Sequence, residues 1–385
     1  MPILYNLGCK LNQYEGICLL EKFSNQKNIV IVNTCCVTRE AEIKSKKRLR
    51  AAIRKFPGYK IVATGCACQL KSESFSQADE IIDNIQRNEI IRGIFPNPQR
   101  ARYFLKIEDG CNEPCSFCVV PKLRKRIESK PFSVIKEEIA WARSLGFNEI
   151  VLVGANIGLY GIDISSSLIE LLRTLANLPD LPRIRLSSIE PRFINAEFIE
   201  CLKDLPFCRH FHIPIQSGDD RVLAIMRRGY NHRHLIEIFD LIAANFKGFA
   251  LSGDVIVGFP NEDNDAFNNT LKLIKENPFT HLHIFPYSLR QVTEAYTLGD
   301  PVSILEKKKR LWLLKELIKE KNFEFRRGML GKVYGAIVEK KNGTTIGLTD
   351  NYVRVRISET RQERELVSLR IVKVEKELTQ GEVVR

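Results

Sequence analysis

Three cysteines at positions 111, 115 and 118 form the pattern C-x3-C-x2-C within EDGCNEPCSFCVVP. The chain has eleven cysteines in 385 residues, and at that content such a spacing should arise by chance in about one chain in a hundred. A zinc site needs a fourth ligand, which this segment lacks. Three thiolates instead suit a cubane iron–sulfur cluster whose fourth iron stays open to a further ligand. Packing as small hydrophobic side chains is the less favoured interpretation.

Three other cysteines, Cys9, Cys35 and Cys66, each follow a strand-like run in the first hundred residues. The strand-like runs are Ile3–Leu7, Ile29–Asn33 and Lys60–Thr64, and the helix-like runs between them are about Asn12–Phe23 and Thr38–Phe56. Alternation of this kind predicts a parallel sheet covered by helices. Ligands gather at the carboxyl ends of such strands. We therefore expect these three cysteines to meet at one rim of the sheet.

The choice of cysteine is open at two of these turns, because VNTCCVT and TGCAC each offer two thiols. Turn geometry favours Cys35 and Cys66, which directly follow Thr34 and Gly65 at a strand end. Cys36 and Cys68 remain possible substitute ligands. The three remaining cysteines lie in or beside helical patterns, and we expect them to fill the core: Cys18, Cys201 and Cys208.

A second alternation of strands and helices follows a linker at FPNPQR. The strand candidates are Tyr103–Ile107, Glu149–Val153, Arg183–Ser187, His210–Ile215, Ser252–Val257 and His281–Phe285. The helix candidates lie near 132–145, 166–177, 195–203, 219–227, 232–246 and 264–277. Six such repeats predict a full or partial barrel with its active site at the strand carboxyl ends. A charged helix from Leu305 to Arg326 comes next.

The pattern changes period after Gly328 and predicts a small closed all-β domain. The strand candidates there are Val333–Val338, Thr345–Leu348, Tyr352–Ile357, Glu365–Val374 and Glu382–Val384. Gly343 and Asp350–Asn351 supply turn residues.

The composition is that of a globular protein, with 44% hydrophobic and 27% charged residues. No stretch approaches the roughly 20 apolar residues that span a bilayer, and the first residues lack the pattern of a secretory signal. We therefore expect a cytoplasmic protein without a membrane partner, where a reducing environment favours metal chemistry over disulfides. The net charge of +13 indicates an anionic partner, with nucleic acid ahead of a membrane surface.

The run GCNEPCSFC, at the end of a strand and heading a six-repeat α/β segment, resembles the radical S-adenosylmethionine (SAM) enzymes. The motifs LGCKLNQYE, VNTCCVT and ATGCACQ, which precede it, look like those of the methylthiotransferases within that superfamily. The resemblance covers nearly the whole chain. It implies an α/β fold in three domains: an N-terminal parallel-sheet domain at 1–98, a partial TIM-like (β/α)6 radical SAM barrel at 99–325, and a TRAM-like, RNA-binding β-barrel at 326–385.

The resemblance also implies the cofactors. It assigns one 4Fe–4S cluster, with the catalytic role, to Cys111, Cys115 and Cys118, and a second to Cys9, Cys35 and Cys66. SAM is implied as radical source and methyl donor, together with a sulfide source and a reductant such as flavodoxin or ferredoxin.

GCKLNQYE most resembles the methylthiotransferases that act on N6-threonylcarbamoyladenosine beside the anticodon of tRNA. Relatives that act on isopentenyladenosine, or on an aspartate of a ribosomal protein, differ around this run. Charge favours RNA independently, because residues 326–385 hold 13 Lys/Arg and 8 Asp/Glu and should repel a basic ribosomal protein. We therefore expect methylthiolation at carbon-2 of threonylcarbamoyladenosine in the anticodon loop. The two other substrates remain alternatives, and a non-catalytic iron–sulfur RNA-binding protein is a remote one.

For SAM itself, the barrel strand ends are the place to look. The predicted contacts to its ribose or methionyl group are Glu190, Gln216 and Asp254, with Arg227 or the adjacent Arg228 on its carboxylate. The pairs His210/His212 and His281/His283 offer metal ligands, but no carboxylate or cysteine is spaced with them, so packing is the favoured interpretation.

Two segments could carry an RNA backbone. Residues 38–60 hold nine Lys/Arg against two Glu, and PKLRKRIESK adds Lys122, Arg124, Lys125, Arg126 and Lys130. The second segment departs from the family, which usually has glycine where this chain has Lys125. A backbone that needs glycine would be strained there, so we expect a different loop. The N-terminal domain is also short, with 44 residues between Cys66 and Cys111.

Overall fold

The computed structural model describes residues 1–384. The first region is a four-stranded parallel sheet in the order β1-β2-β3-β4, with helices on its faces. Its elements are β1 Ile3–Asn6, α1 Lys10–Lys22, β2 Ile29–Thr34, α2 Arg39–Lys55, β3 Lys60–Gly65, α3 Cys66–Leu70, β4 Glu80–Ile82 and α4 Asn84–Ile91. A short 3-10 helix spans Ser72–Phe75. All six residues of β2 are buried, as expected for a central parallel strand.

The second region is a six-stranded, all-parallel partial barrel. Strands β5, β8 and β9 form one half and β10, β11 and β12 the other, and single parallel bridges from Ile184 to Phe207 and from Ser188 to His212 join the halves. The elements are β5 Tyr103–Lys106, β6 Glu108–Asp109, α5 Val120–Leu123, β7 Glu128–Ser129, α6 Phe132–Ser144, β8 Glu149–Val153, α7 Leu168–Ala176, β9 Arg183–Leu186, α8 Ala196–Lys203, β10 His210–His212, α9 Asp220–Ile225, α10 His232–Asn245, β11 Ala250–Val257, α11 Asn264–Glu276, β12 Phe279–Pro286 and α12 Ile304–Arg327. Short 3-10 helices span Ile157–Leu159, Ile162–Ile164, Pro191–Phe193 and Glu294–Leu298.

The two faces of the barrel strands differ in polarity. Residues such as Phe211 and Leu251 point outward into the core shared with the surrounding helices. Helix α1 of the first region covers the inner face of the opening strands, where Tyr14 packs with Phe104 and Val151. The first region is therefore packed against the interior of the barrel.

The third region is a closed five-stranded β-barrel in the order β13-β14-β15-β17-β16. Its strands are β13 Val333–Lys341, β14 Thr344–Thr349, β15 Arg354–Ile357, β16 Leu366–Val374 and β17 Thr379–Val384. Strand β15 starts two residues later than predicted, because Tyr352 has a left-handed backbone (φ 68°) that a strand does not accommodate. Strand β17 is longer than predicted.

A buried ion-pair group attaches this β-barrel to the parallel-stranded barrel. Glu149 pairs with Arg183 (2.6 Å) and Arg185 (2.7 Å). The same guanidinium groups donate to backbone carbonyls of the β-barrel, Arg183 to Leu348 (2.8 Å) and Arg185 to Thr349 (3.0 Å). Burial opposes ionisation of Glu149, but the arginines outweigh it and lower its pKa to about 2.

The predicted fold class is confirmed in its three parts: the parallel-sheet α/β region, the partial barrel and the small β-barrel. The exact domain limits remain predictions. Strand β10 ends at His212 rather than Ile215, and β11 starts two residues early at Ala250. No helix within residues 1–384 is both long and apolar enough to cross a membrane.

Candidate iron–sulfur and SAM site

The loop after β6 carries the first group of cysteines, which we call the loop set: Cys111, Cys115 and Cys118. Backbone hydrogen bonds fix this loop from within, since Cys118 N–H donates to the Cys115 carbonyl (3.1 Å) and Val120 N–H donates to Cys118 Sγ (3.4 Å). Ser116 N–H donates to the Met226 carbonyl (3.1 Å) and anchors the loop to the segment after α9. The spacing of the three cysteines is thus held largely by local geometry.

A solvent-open cavity with about 620 Å³ of empty space adjoins the loop set. Glu190 and Gln216, two of the predicted SAM contacts, line it together with Arg228. Arg228 Nη1 donates to Cys115 Sγ (3.0 Å), and its other terminal nitrogen pairs with Glu190. The cavity therefore places a carboxylate, an amide and a guanidinium beside the cysteines.

The two other predicted SAM contacts do not line this cavity. Arg227 has a left-handed backbone (φ 55°) and pairs with the exposed Glu294, so its neighbour Arg228 takes the position at the cysteines. Asp254 lies three residues before the carboxyl end of β11 and binds His212 Nε2 (3.0 Å) inside the barrel.

Burial opposes ionisation of the three thiols of the loop set. Burial raises the pKa of the Cys111 and Cys118 thiols to about 12. Burial also raises the pKa of Cys115, although Arg228 opposes it. Iron binding to these thiols would release protons, and the Arg228 cation would offset part of the resulting negative charge.

The second group of cysteines, which we call the rim set, lies after β1, β2 and β3: Cys9, Cys35 and Cys66. The strands pair in register, with Asn6 beside Asn33 and Asn33 beside Thr64, so the three following turns share one edge of the sheet. Two glycines bring the turns close. A Cβ on Gly8 would lie 2.9 Å from Cys35 Sγ, and one on Gly65 would lie 2.4 Å from the Thr34 carbonyl.

An asparagine network fixes the turns that carry Cys9 and Cys35. Asn12 Nδ2 donates to the Leu7 carbonyl (2.6 Å) and the Thr34 carbonyl (3.1 Å). Asn33 Nδ2 donates back to the Asn12 carbonyl (2.6 Å). Ser45 on α2 bonds both the N–H and the carbonyl of Cys35 (3.0 Å each). The asparagine of the LGCKLNQYE motif therefore positions the turns.

Exposure separates the two cysteines of each ambiguous pair. Cys9 is exposed and Cys66 is partly exposed, and Cys35 retains 6% exposure. Cys36 and Cys68, by contrast, are 0% and 1% exposed and belong to the apolar core below the rim. Cys35 and Cys66 are therefore each more exposed than the second cysteine of the pair, although Cys35 is itself buried.

The geometry also bears on the kind of metal group. Within residues 1–384, the one group of three ligand atoms close enough for a single ion is His212, Asp254 and His283, within 4.8 Å of one another. Neither cysteine set converges in this way. A cubane cluster binds each thiolate through a different iron, so it does not need three sulfur atoms this close together. The expectation that no carboxylate accompanies the histidine pairs is wrong, because Asp254 joins them.

A buried ion-pair network connects the elements that carry the two sets. Glu15 on α1 binds Arg124, at the end of α5, through both carboxylate oxygens (2.8 and 2.7 Å), and Arg124 also binds Asp109 (2.6 Å). Arg87 and Lys106 complete it with contacts to Glu15 of 2.6 and 2.8 Å. Arg124 is thus part of the interior, and the prediction that it faces RNA is wrong.

Lys125 in the same segment occupies the position where the family usually has glycine. Lys125 is exposed and is absent from the left-handed positions of residues 1–384, so lysine causes no strain there. Lys130 is also turned inward, where it binds Glu138 and the Tyr14 hydroxyl. Lys122, Lys125 and Arg126 remain exposed.

Two further residues line the cavity beside the loop set, Asn156 and Ser188. Both follow strands predicted from the sequence, Glu149–Val153 and Arg183–Ser187, at the ends where SAM contacts were expected. A larger hollow of about 1110 Å³ lies between α4 and β7 and contacts neither cysteine set. Its wall includes Glu108, whose pKa burial raises to about 9.

Two family models match the chain: residues 105–274 match the Radical SAM superfamily, and residues 3–86 match an uncharacterized protein family, UPF0004. The fold agrees with solved radical SAM proteins. The radical SAM methyltransferase TsrM from Kitasatospora setae superposes with a TM-score of 0.54 at 14% identity, covering 72% of this chain and 68% of that one. The family model and the fold thus identify a radical SAM domain in this chain.

Curated relatives show which family of radical SAM enzymes the chain belongs to. Threonylcarbamoyladenosine tRNA methylthiotransferase MtaB of Thermotoga maritima is 33% identical, covering 90% of this chain and 89% of the relative. MtaB of Bacillus subtilis is 32% identical over 99% and 96%. The tRNA-2-methylthio-N6-dimethylallyladenosine synthase of Dehalococcoides mccartyi is 34% identical over 82% of both. The chain belongs to the radical SAM methylthiotransferase family, so it is an enzyme whose family uses SAM and a 4Fe–4S cluster.

Proposed function

We propose that this enzyme adds a methylthio group to carbon-2 of N6-threonylcarbamoyladenosine, beside the anticodon of tRNA. The observation that carries the proposal is the rim set, a second group of three cysteines at one edge of a sheet whose helix α1 packs into the radical SAM barrel. A cluster on one group of three cysteines would suffice to cleave SAM. A cluster on the second group would bind the sulfur atom that is transferred. The MtaB relatives support the substrate.

In this proposal the loop set holds the cluster that binds SAM and the rim set holds the cluster that binds the transferred sulfur. When bound, these groups supply a carbon radical from SAM and a sulfur atom that is methylated and transferred. The chain's residues provide the setting. Arg228 balances thiolate charge at Cys115 (3.0 Å), and Glu190 and Gln216 line the cavity that would receive SAM. Asp254 and Arg227 have no place in that cavity.

An RNA substrate is supported by the distribution of charge. Helix α2 buries Glu42, Ser45, Leu49 and Ala52 and exposes the cations Lys47, Arg50 and Arg54. With Lys122, Lys125 and Arg126 near the loop set, these cations would bind a phosphate backbone, and binding should weaken as salt rises. A target base must leave its stack to reach the chemistry, and anticodon loops present such bases.

The isopentenyladenosine alternative is supported by the Dehalococcoides mccartyi relative, so the test must separate the substrates. Nucleosides from tRNA of cells that lack this gene are compared by mass spectrometry with those of cells in which it is restored. We expect 2-methylthio-threonylcarbamoyladenosine to disappear and return, while 2-methylthio-isopentenyladenosine stays constant. A gene encoding Cys115→Ala is the matched control and should not restore the nucleoside.

An unchanged nucleoside profile would overturn the proposal and direct attention to a ribosomal-protein aspartate.

We further propose a low-potential one-electron donor such as flavodoxin or ferredoxin and a free sulfide source. Both are tested by reconstitution with the purified enzyme, where omission of either should stop product formation.

A further inference from the structure

One segment of the parallel-stranded barrel contacts the backbone beside both cysteine sets. It directly follows β12, and we call residues 287–295 the bridging segment. Arg290 Nη2 donates to the carbonyl of Cys36 (2.5 Å), which adjoins the rim set. The N–H of Ala295 donates to the carbonyl of Ser116 (2.8 Å), which lies between two cysteines of the loop set. A short stretch of chain therefore joins the two sets directly.

A buried ion pair anchors the bridging segment at the rim set. Arg290 is 8% exposed, and its Nη1 binds Glu42 on α2 (2.6 Å). The same helix carries Ser45, which bonds both backbone groups of Cys35 (3.0 Å each). Arg290 therefore holds both the helix and the turn that position Cys35. Its Nε is buried without a hydrogen-bond partner within residues 1–384, a cost that a residue kept for stability alone would not be expected to carry.

Apolar packing and internal hydrogen bonds hold the rest of the bridging segment. Ala295 and Tyr287 belong to one buried apolar cluster, against which Phe117 of the cysteine loop packs. The Tyr287 hydroxyl donates to the Ala295 carbonyl (3.1 Å). The N–H and the hydroxyl of Thr293 both donate to the Arg290 carbonyl (3.1 and 2.8 Å). A segment closed by such bonds should keep its length, so a fixed position at one end fixes the other.

We propose that the bridging segment sets the separation of the two cysteine sets, with Arg290 as its positioning residue at the rim set. The consequence for sulfur transfer rests on the proposed function. A carbon radical formed from SAM at the loop set must act on the substrate while the reacting carbon faces the sulfur at the rim set. A displacement of about 1 Å can lower the rate of a positioned reaction about 100-fold. A shift of the rim set should therefore consume SAM without transferring sulfur.

The test uses the full-length protein with both clusters reconstituted and reduced. Pulsed electron paramagnetic resonance measures the magnetic interaction between the clusters, which depends on their separation. Mass spectrometry measures 5′-deoxyadenosine and methylthio product with tRNA as substrate. For Arg290→Gln we expect a shifted or broadened interaction and about tenfold less product per 5′-deoxyadenosine, with SAM cleavage kept within about twofold. Hydrogen exchange of the metal-free protein should be faster in the turn that carries Cys35.

Three further variants bracket this result. Glu294→Gln removes a charge from the exposed side of the same segment, where its partner is the surface residue Arg227, and should leave every readout at the wild-type level. Arg290→Lys keeps the cation but loses the paired donors, so it should recover part of the product ratio. Thr293→Val removes the hydroxyl that closes the segment and should act in the same direction as Arg290→Gln, by less. It decides the question if Arg290→Gln does not fold.

A wild-type cluster interaction and product ratio in Arg290→Gln would overturn the proposal. So would an equal loss of SAM cleavage and product, because the defect would then lie at the loop set and not in the spacing. A wild-type protein that held one cluster, or made no methylthio product, would refute the proposed function instead. The bridging segment would then be judged by hydrogen exchange, and an unchanged rate at the Cys35 turn in Arg290→Gln would refute it.

Discussion

The loop set and the rim set reach the same donor chemistry by different routes. The loop set lies within one segment of eight residues, and backbone hydrogen bonds of that segment hold it. The rim set comes from three turns that the parallel register of β1, β2 and β3 brings to one edge. A local set depends on its own loop, whereas a distributed set depends on the integrity of a whole sheet.

The two sets also differ in how an arginine serves them. Arg228 touches the loop set directly, through Cys115 Sγ. The charge of Arg124 acts to lower the pKa of Cys9, against the larger effect of burial. Its guanidinium donates hydrogen bonds to Glu15 and Asp109. The first arginine donates a hydrogen bond to a cysteine of the loop set, and the second forms ion pairs between two structural regions. Substitutions at the two sites should therefore produce different kinds of defect.

The largest effect should come from removing one cysteine of each set. Cys115→Ala removes a ligand of the loop set, so we expect SAM cleavage and methylthio transfer to be lost together. Cys35→Ala should leave SAM cleavage and stop sulfur transfer. The measurement is 5′-deoxyadenosine and modified nucleoside by mass spectrometry, with iron content falling by roughly half in each variant. Full methylthiolation by Cys35→Ala would end the division of roles between the sets.

A smaller effect is expected from Arg228→Gln, which removes a donor and a cation from Cys115. Hydrogen bonds and charge at cluster sulfurs set the reduction potential, so the cluster should become harder to reduce and SAM cleavage about 10- to 100-fold slower at limiting reductant. A redox titration followed by electron paramagnetic resonance measures the potential. Arg227→Gln alters the adjacent surface pair with Glu294 and should change neither quantity. Equal potentials in both variants would contradict a role for Arg228 at the cluster.

Glu15→Gln tests the link between the two regions. Burial raises the pKa of Glu15, but Arg124, Arg87 and Lys106 outweigh it and lower the pKa to about 2. Removing the charge leaves these buried cations without a counter-ion, and we expect the free energy of unfolding to fall by about 3 to 5 kcal/mol. Because the folded pKa is depressed, this stabilisation is present above the ordinary pKa near 4.5 and is lost as pH falls towards 2.

Urea unfolding at pH 7 and pH 3 measures this contribution. The difference between the wild-type protein and Glu15→Gln should shrink at the lower pH. Glu40→Gln on α2 breaks an exposed pair with Lys44 and should have no measurable effect at either pH. A Glu15→Gln protein as stable as the wild type would show that the network does not hold the regions together.

The sequence shows the spacing of the loop set and the strand ends that precede the rim set, and the parallel register confirms that the three rim turns share one edge of the sheet. The assignment of both sets as cluster ligands stays a prediction. Contacts that depend on long-range packing could not be predicted. Arg124 looked like an RNA contact because its charge is visible in sequence, whereas its buried partner Glu15, 109 positions away, is not. The same holds for Asp254, whose partner His212 lies on the neighbouring strand. Choosing Arg228 over Arg227 required the left-handed backbone at Arg227.

The smallest effects should come from the cysteines that face inward behind the rim set. Cys68 Sγ accepts a hydrogen bond from the Thr34 hydroxyl (3.4 Å) inside the core, and burial raises the pKa of Cys68 to about 12. Cys36→Ala and Cys68→Ala should each cost about 1 kcal/mol of stability while iron content and methylthio transfer stay at the wild-type level. Iron analysis of each variant beside Cys35→Ala and Cys66→Ala makes the comparison. If Cys36→Ala lost iron and Cys35→Ala kept it, the inward cysteine would be the ligand. Exposure of a cysteine at the sheet edge would then not identify the ligands in the rim set.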